Sequence, residues 1–251
     1  MQTELLLPGE RLDDLLINNL KIIQHGQDFC FSLDAVLLAH FASLRSGTSV
    51  VDLGTGTGVI AMLLAARGAG QSVGVELDAK AAGMAARSVR LNSLSDRIQV
   101  VQSDFRQLKG ILPSGVWELV VCNPPYRAVG RGHLNDNNRH AAARHELTAH
   151  LKDVIAAARY LVKYRGRFAM VHLPERMAEI LMEMSLQGLE PKRLRLVQPS
   201  AGKKPNLLLV EGVRGAKPGM EVQPPLVVYE PDGSYTKEIM DYYPRQIQTQ
   251  V

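Results

Sequence analysis

Cysteine is scarce in this sequence, and long hydrophobic runs are missing. The 251 residues include only two cysteines, Cys30 and Cys122, and neither has the spacing of a metal or redox site. We expect both to be buried or unreactive thiols in a reducing, cytoplasmic setting. No apolar run approaches the ~18 residues that a membrane-spanning helix needs, and residues 1–14 lack the layout of a signal peptide. We therefore expect no membrane partner.

The sequence also has no large excess of positive or negative charge, but its charged residues are unevenly distributed along the chain. The formal net charge is +4, with 10 Lys and Arg against 12 Asp and Glu in residues 1–122 and 19 against 13 in residues 123–251. The positive surplus therefore lies entirely in the second half. A basic half suits a polyanionic partner such as RNA, and an ordinary solvated surface explains an excess of this size equally well.

Internal repeats and low-complexity linkers are absent, and runs of strand length alternate with helical patterns. The predicted strands are 49–53, 71–77, 97–102, 117–122, 167–173, 192–198 and 206–213. The predicted helices are 33–44, 57–67, 79–92, 148–163, 175–187 and a short one from Thr236. This alternation predicts an α/β fold with a doubly wound, mostly parallel seven-stranded sheet. The last two strands should be antiparallel because only a loop joins them.

The chain before the first of these strands predicts a short N-terminal extension. Residues 15–23 look like a hairpin that turns at Asn18-Asn19, and Ser32 is a plausible cap for the helix that follows. We expect residues 1–44 to form a hairpin and helix flap that packs on residues 45–251. The tail is expected to turn at Pro231-Asp232-Gly233, and the whole chain to form one compact domain.

The stretch VVDLGTGTGVI, residues 50–60, follows the first predicted parallel strand. It places Asp52 before a loop that contains Gly54, Thr55, Gly56 and Gly58, and glycines there let the backbone approach a ligand closely. The dinucleotide fingerprint G-x-G-x-x-G does not fit, because position 59 is valine. The spacing G-x-G-x-G after an acid resembles the cofactor loop of class I S-adenosylmethionine-dependent methyltransferases. Their cofactor carries an ammonium and a sulfonium, which suit a nearby acid.

Two further acids end the next two predicted strands. Glu76, followed by Leu77, could accept both hydroxyls of a ribose because a carboxylate has two acceptor oxygens. Asp104 could accept an adenine amino group while the Phe105 amide donates to a ring nitrogen. Each acid alone could equally be a turn or cap residue. Ligands of doubly wound sheets bind at the carboxyl ends of the strands, which is where all three acids are expected.

The fourth predicted strand ends in the motif NPPY, formed by Asn123, Pro124, Pro125 and Tyr126. Neither proline can donate a backbone hydrogen bond, so the motif should be a stiff corner that ends the strand. This corner resembles the catalytic motif of methyltransferases that act on planar amines. The Asn123 side-chain carbonyl and the Pro124 backbone carbonyl could accept the two N–H groups of such an amine, and a base could stack on Tyr126.

A long polar segment, residues 127–147, follows the corner. It contains four arginines and three histidines: Arg127, Arg131, Arg139, Arg144, His133, His140 and His145. A loop of this length in a compact domain is usually functional or disordered, and we expect it to become ordered only when RNA binds. The histidines lack nearby cysteines, so solvated or RNA-facing histidines are favoured over a metal site, and no metal is expected.

The flanking segments extend the resemblance beyond the core motifs. QHGQDFCFSLDAVLLAHF (24–41), ARHE (143–146) and PPLVVYEPDGSYTKEI (224–239) occur together with NPPY, and the chain resembles the bacterial tRNA1(Val) (adenine-37-N6)-methyltransferase family. The resemblance implies a Rossmann-like class I methyltransferase fold that forms N6-methyladenine beside the anticodon of a tRNA. It also implies that Phe31, Ser32 and Asp34 form a flap over S-adenosylmethionine, and that residues 123–126, with Asn123 also against the cofactor, hold the adenine.

Basic residues near these motifs are candidates for contacts with tRNA phosphates. They are Arg127, Arg131 and Arg144 in the polar segment, and Lys203 and Lys204 in the loop between the last two predicted strands. Such contacts position RNA without reading its sequence. A solvated turn explains the two lysines equally well. We expect a monomer.

Other functions remain open at this stage. Glutamine N5-methyltransferases of release factors share NPPY, but that family carries a helical N-terminal domain, whereas about 48 residues with a predicted hairpin precede VVDLG here. Methylation of a ribosomal RNA guanine at N2 is a further alternative, which the identity of the methylated base would distinguish. An intact NPPY argues against a non-catalytic RNA-binding module, and the glycine spacing argues against a nicotinamide oxidoreductase.

Overall fold

The structure is a computed structural model that describes residues 5–26, 33–124 and 151–243. Within those ranges the strands are β1 (Glu10–Asp14), β2 (Lys21–His25), β3 (Val50–Leu53), β4 (Ser72–Glu76), β5 (Ile98–Gln102), β6 (Trp117–Cys122), β7 (Val162–His172), β8 (Leu189–Ser200), β9 (Leu207–Arg214), β10 (Glu221–Val222) and β11 (Leu226–Tyr229). The α-helices are α1 (Leu33–Phe41), α2 (Val59–Ala66), α3 (Ala79–Leu91), α4 (Leu151–Leu161), α5 (Met177–Leu186) and α6 (Lys237–Asp241). Short 3-10 helices cover Phe105–Gln107 and Pro174–Arg176.

The main sheet has the strand order β10-β8-β9-β7-β6-β3-β4-β5, and β11 also pairs with β8. All neighbours are parallel except β9, which is antiparallel to both β7 and β8. The predicted α/β fold with a doubly wound, mostly parallel sheet is therefore confirmed, as is the antiparallel last pair. The seven predicted strands are all present, and the tail adds two short ones, β10 and β11, at the outer edge of β8.

Helices cover both faces of the sheet because residues of the central strands alternate between two apolar cores. On β6, Leu119 and Val121 pack in a core that includes residues of α1 and α2. Val120 and Cys122 point the other way, into a core with residues of α4 and α5. Successive side chains of a strand point to opposite faces. All the side chains of an apolar run such as 119–122 are therefore buried only when both faces of the strand are covered.

The strand order reverses between β3 and β6, and this switch point positions the site. From β3 the chain proceeds to β4 and β5 on one side, and from β6 to β7 on the other. In the parallel register, Leu53 at the end of β3 is the partner of both Val75 and Cys122. The residues that follow these three strands are therefore neighbours at one edge, where ligands of such sheets bind.

The N-terminal hairpin forms a separate two-stranded sheet that packs on α3. Its turn lies at Asn18 and Asn19, as predicted. Both residues have positive φ, at 49° and 57°, as the two central residues of a type I′ hairpin turn require. The strands lie further from the turn than the predicted 15–23, at 10–14 and 21–25. The Ile23 amide donates to Ser88 Oγ at 2.9 Å and the Lys21 amide to Asn92 Oδ1 at 2.9 Å, which fixes the hairpin to α3.

Several predicted helix boundaries differ from the structure for local reasons. The helix predicted to continue to residue 163 ends at Leu161, because Val162 pairs with Trp117 as the first residue of β7. The helix predicted from residue 57 begins at Val59, after a glycine loop that cannot be helical. The tail turn is confirmed, since the Gly233 amide donates to the Glu230 carbonyl at 3.0 Å. The short helix predicted from Thr236 is present as α6, and Thr236 is its N-cap residue.

Candidate active site

The loop after β3 takes its shape from three glycines with positive φ. Gly54, Gly56 and Gly58 have φ of 69°, 57° and 93°, which residues with a Cβ rarely adopt. A Cβ on Gly54 or Gly56 would meet no atom within 4 Å, so the space above the loop is open to a ligand. A Cβ on Gly58 would lie 3.3 Å from the Cβ of Ala85. The third glycine therefore also serves the packing of α2 on α3.

Glu76, at the end of β4, is held beside this loop by two backbone amides. Its Oε2 accepts from the Gly56 amide at 2.8 Å and its Oε1 from the Asp78 amide at 2.9 Å. The residue is 4% exposed, so the amides fix the direction of the carboxylate. Each oxygen can accept a second hydrogen bond, which gives a buried pair of acceptors suited to two neighbouring hydroxyls.

Asp52 is a fully buried carboxyl group directly beneath the loop. The Thr55 hydroxyl donates to its Oδ2 at 2.6 Å, whereas its Oδ1 has no hydrogen-bond partner in the part of the chain that the structure describes. Burial raises the pKa of Asp52 to about 7, against the lowering effects of the Thr55 hydroxyl and the Ala61 backbone amide, and the nearby charge of Glu76 adds to the rise. A buried carboxylate with an unpaired oxygen is unfavourable unless a cation or donor compensates it, so Asp52 is suited to a positively charged ligand.

Gly74, inside β4, is a site residue that the sequence motifs did not indicate. A Cβ there would lie 2.8 Å from both Cγ2 and Oγ1 of Thr55, so the glycine makes room for the side chain that binds Asp52. The available signal was a glycine in the interior of an apolar strand, which often marks a close approach of another chain segment.

The third acid, Asp104, has a local partner in the structure. It caps the 3-10 helix Phe105–Gln107 by accepting from the Arg106 amide at 2.9 Å. The Arg106 guanidinium also binds its carboxylate, and this hydrogen bond lowers the pKa of Asp104. The cap role that the sequence left open is thus present, and a ligand amine would have to share the carboxylate with Arg106. Leu77 is 44% exposed at the same edge, where its side chain could cover one face of a ring.

Asn123 and Pro124 follow β6 at the switch point, and both are partly buried. Because Cys122 is the partner of Leu53, Asn123 lies beside Gly54, at a strand spacing of about 4.8 Å. Glu76 lies one strand further along the same edge. Cys122 itself is a buried free thiol, and burial raises its pKa, so it is unreactive as expected.

His172, at the end of β7, is a second buried residue near the corner that the sequence reasoning missed. It lies two positions beyond Met170, the partner of Cys122, and is therefore level with Pro124. Its Nδ1 accepts from the Leu173 amide at 2.7 Å. Burial lowers the pKa of His172 to about 4, so the ring is neutral at physiological pH. A histidine that ends an otherwise apolar strand was the available signal.

Lys203 and Lys204 lie at the same edge of the sheet as Asn123. They are exposed in the turn between β8 and β9. Since β8 runs parallel to β6, its carboxyl end points the same way, and three strand spacings amount to about 14 Å. In the strand register, Leu194 of β8 lies opposite Val210 of β9, which aligns it with Met170 of β7 and Cys122 of β6. β8 continues for six residues beyond Leu194, to Ser200. The lysines therefore lie at the tip of a hairpin that projects beyond the edge.

Some predicted site residues lie outside the described ranges. They are Cys30 and the flap residues Phe31 and Ser32, the motif residues Pro125 and Tyr126, and the basic residues Arg127, Arg131 and Arg144. The predicted ordering of residues 127–147 and the three histidines also fall there. Asp34 is described, in the first turn of α1. Within the described ranges, no cluster of three His, Cys, Asp or Glu side chains could hold a metal ion. None of the helices in these ranges has the length and apolar composition of a membrane span.

A glycine loop, two buried carboxylates and an amide lie at adjacent strand ends of this doubly wound α/β protein, at the switch point where ligands of such sheets bind. The model of the methyltransferase small domain family matches residues 32–192. A tRNA1(Val) (adenine(37)-N6)-methyltransferase of Bacteroides fragilis is 32% identical over 178 residues, 70% of this chain and 74% of that protein. One of Porphyromonas gingivalis is 31% identical over 227 residues, 86% and 88% of the two chains.

The chain therefore belongs to the methyltransferase small domain family and, within it, to the family of the proteins named tRNA1(Val) (adenine(37)-N6)-methyltransferases. The predicted family resemblance is confirmed.

Solved structures agree on the fold. A protein described as a predicted O-methyltransferase, Atu636 of Agrobacterium tumefaciens, superposes with a TM-score of 0.68 at 23% identity and covers 84% of this chain and 95% of its own. YcgJ of Bacillus gives a TM-score of 0.53 at 12% identity, covering 73% of this chain and 99% of its own. At these identities the likeness supports the fold alone.

The contact between Gly74 and Thr55 predicts the effect of a single added methyl group. In Gly74→Ala the new Cβ must displace Thr55, which breaks the hydrogen bond to Asp52 and shifts the glycine loop. We expect a loss of about 1–3 kcal/mol in the free energy of unfolding and at least tenfold weaker binding of S-adenosylmethionine, measured by urea titration and calorimetry.

Gly83→Ala is the matched control, because a Cβ on this α3 glycine would meet nothing within 4 Å. It should stabilise the protein by up to about 1 kcal/mol and leave binding unchanged. Equal ligand affinities for the two variants would contradict the role of Gly74.

The buried Asp52 predicts how stability depends on pH. Because its pKa is raised from 3.8 to about 7, the folded protein holds a proton that the unfolded chain has lost between pH 4 and 7, and stability falls as the pH rises through that window. At pH 8, Asp52→Asn should therefore be more stable than the wild type by a free energy of unfolding on the order of 4 kcal/mol, and its melting temperature should be higher. Near pH 4 the two proteins should have the same melting temperature.

Differential scanning calorimetry of the ligand-free protein measures this difference. Asp96→Asn removes an exposed carboxylate and is the control that should follow the wild type at every pH. A melting temperature of Asp52→Asn at or below that of the wild type at pH 8 would show that the buried carboxylate is not a source of instability.

Proposed function

We propose that this protein transfers a methyl group from S-adenosylmethionine to the exocyclic N6 of an adenine in tRNA, next to the anticodon. The observation that carries this proposal is the position of Asn123-Pro124 beside Gly54 at the switch point, with Glu76 one strand further along. Membership of the family, and the names of relatives that share most of their length with this chain, support the choice of adenine and of tRNA.

The described residues fit the three parts of the cofactor. Glu76 would accept the two ribose hydroxyls, since each of its oxygens retains an acceptor position. Asp52, whose Oδ1 has no hydrogen-bond partner in the described part of the chain, would hold the ammonium and carboxylate end together with the loop of Gly54, Thr55, Gly56 and Gly58. Asp104, the Phe105 amide and the exposed Leu77 would hold the adenine ring. When bound, S-adenosylmethionine supplies an electrophilic methyl group on a sulfonium.

The corner would act by orienting the target amine. The Asn123 side-chain carbonyl and the Pro124 backbone carbonyl accept its two N–H groups, which directs the nitrogen lone pair at the methyl group and stabilises the positive charge that the nitrogen gains. The proton becomes acidic as the N–C bond forms and can leave afterwards, so no strong general base is needed. Catalysis then depends on orientation and electrostatics, and Pro125 and Tyr126 would complete the corner and stack on the base.

The remaining assignments concern closure and RNA contact. Phe31, Ser32 and Asp34 would form a flap over the cofactor, with residues 1–44 packed on residues 45–251. Arg127, Arg131, Arg144, Lys203 and Lys204 would contact phosphates of the tRNA. The exposed lysines project from the edge where the target base must enter, which supports their part in this set. A monomer, a cytoplasmic location and chemistry without a metal ion remain predictions.

Incubation with unmodified bulk tRNA and S-adenosylmethionine labelled in the methyl group tests the proposed function. After digestion, the label should appear in N6-methyladenosine. Label in N2-methylguanosine would favour a guanine substrate. Label only in the glutamine of a release factor, offered in a parallel reaction, would overturn the proposal.

Asn123→Ala tests the role of the corner. Without the side-chain carbonyl, the amine loses one of two acceptors, and we expect a fall in kcat of at least 100-fold with the affinity for S-adenosylmethionine within about threefold of the wild type. Ser103→Ala is a control at the same ends of the parallel strands, directly after β5, and should retain activity. A fully active Asn123→Ala variant would show that the acceptor role is wrong.

A further inference from the structure

A cleft opens at the opposite ends of the parallel strands from the candidate active site. Its volume is about 470 Å³, and its lining residues are Ser114, Gly115, Arg159, Tyr160, Tyr164 and Arg214. No residue proposed for methyl transfer lies in it. Its lining includes two arginines and two tyrosines, and no acidic residue.

The cleft lies at the amino ends of the parallel strands. Gly115 precedes β6, Arg159 is in the last turn of α4, and Arg214 ends the antiparallel strand β9. Asn123 follows the other end of β6. A strand of six residues spans about 20 Å, so a mononucleotide in the cleft could not reach the methyl-transfer site. An extended RNA could contact both the cleft and that site.

The two guanidinium groups in the cleft are not neutralised by carboxylates of the described residues. Arg214 Nη1 donates to the Val162 carbonyl at 2.6 Å, which anchors the side chain. Its remaining N–H groups make no hydrogen bond or ion pair within the described ranges, and Arg159 makes none there at all. The pKa of Arg214 is lowered by burial and by the charge of Arg159, so the two groups are close enough to repel. A bound anion would remove this repulsion.

The tyrosines give the cleft a flat aromatic surface. The Tyr160 hydroxyl donates to the Leu112 carbonyl at 3.3 Å. The Tyr164 ring lies against Gly215, where a Cβ would come within 2.3 Å of its Cε2. Tyr164 nevertheless remains 69% exposed. One side of its ring is therefore fixed by the backbone while most of it stays available for stacking.

The position of Arg159 alone has a simpler explanation. A cation in the last turn of a helix is stabilised by the helix dipole, which accounts for an arginine at the end of α4. The same helix end explains part of the position of Arg214, because its Nη1 donates to the carbonyl of Val162, which directly follows α4. It does not explain why the rest of this guanidinium, which comes from a strand, lies in the same cleft beside a like charge. The convergence of two arginines from different elements therefore points to a ligand.

We propose that this cleft binds a phosphate group of a nucleotide, held by Arg159 and Arg214, with the base against Tyr164. Guanidinium groups bind phosphate oxygens in a bidentate manner, and base–tyrosine stacking is common in nucleotide sites. The phosphate can come from the backbone of a bound RNA or from a free mononucleotide. The proposal does not depend on the reaction at the other edge.

Calorimetry on the full chain with AMP and with inorganic phosphate tests for a free nucleotide. The salt dependence of binding to unmodified tRNA tests for an RNA backbone. The variants are Arg159→Gln and Arg214→Gln, with Tyr164→Ala for the base. Arg90→Gln, an exposed arginine on α3, is the matched control. Arg214→Gln loses an internal hydrogen bond and can affect folding, so Arg159→Gln, which loses none among the described residues, is the decisive variant.

For a free mononucleotide, AMP should bind the wild type and Arg90→Gln, and bind Arg159→Gln at least tenfold more weakly. For an RNA backbone, only tRNA should bind, and Arg159→Gln should lower the slope of log K against log salt by about 0.7 to 0.9. If Arg159→Gln and Arg90→Gln show the same affinities for AMP, phosphate and tRNA and the same salt slope, the proposal is overturned, and any AMP that binds then occupies another site.

Discussion

The parallel register around β3 is the constraint on which the candidate site depends. Leu53 is paired on one side with Val75 and on the other with Cys122, so residues that are 20 to 70 positions apart in the chain meet at one edge. Backbone hydrogen bonds set this register. The apolar residues on both faces also maintain it, because a slip of one residue would move every side chain to the other core. The glycine loop, Glu76 and Asn123 are neighbours for that reason alone.

The same site contains a local source of instability. Asp52 is fully buried, and one of its oxygens has no hydrogen-bond partner among the described residues. The side chain that binds it in those ranges is Thr55, whose position requires a glycine in the neighbouring strand. A group of this kind stays in a fold when a ligand compensates it. Binding of a cationic cofactor would therefore stabilise the folded protein as well as supply the reacting group.

The fold and the framework of the site could be predicted from the sequence because the signals were local. Glycines and acids directly after apolar runs indicated the loop, Glu76 and Asp104, and alternation of elements indicated the sheet. Features that depend on packing between distant segments could not be predicted. The need for glycine at position 74 follows only from its contact with Thr55 across the strand pair. The position of His172 near the site follows only from the strand register, which places it opposite Pro124. The strand β11 forms only because it pairs with β8. The sequence left the cap role of Asp104 open, and only the contact with the Arg106 amide decides it.

A crystal structure of the protein with bound S-adenosylhomocysteine tests the central claim most directly. The account predicts both ribose hydroxyls within about 3 Å of the Glu76 carboxylate. It also predicts the amino group against Asp52 and the sulfur facing the Asn123-Pro124 corner. A ligand bound away from the carboxyl ends of β3 and β4, or one whose sulfur faces away from Asn123, would contradict it.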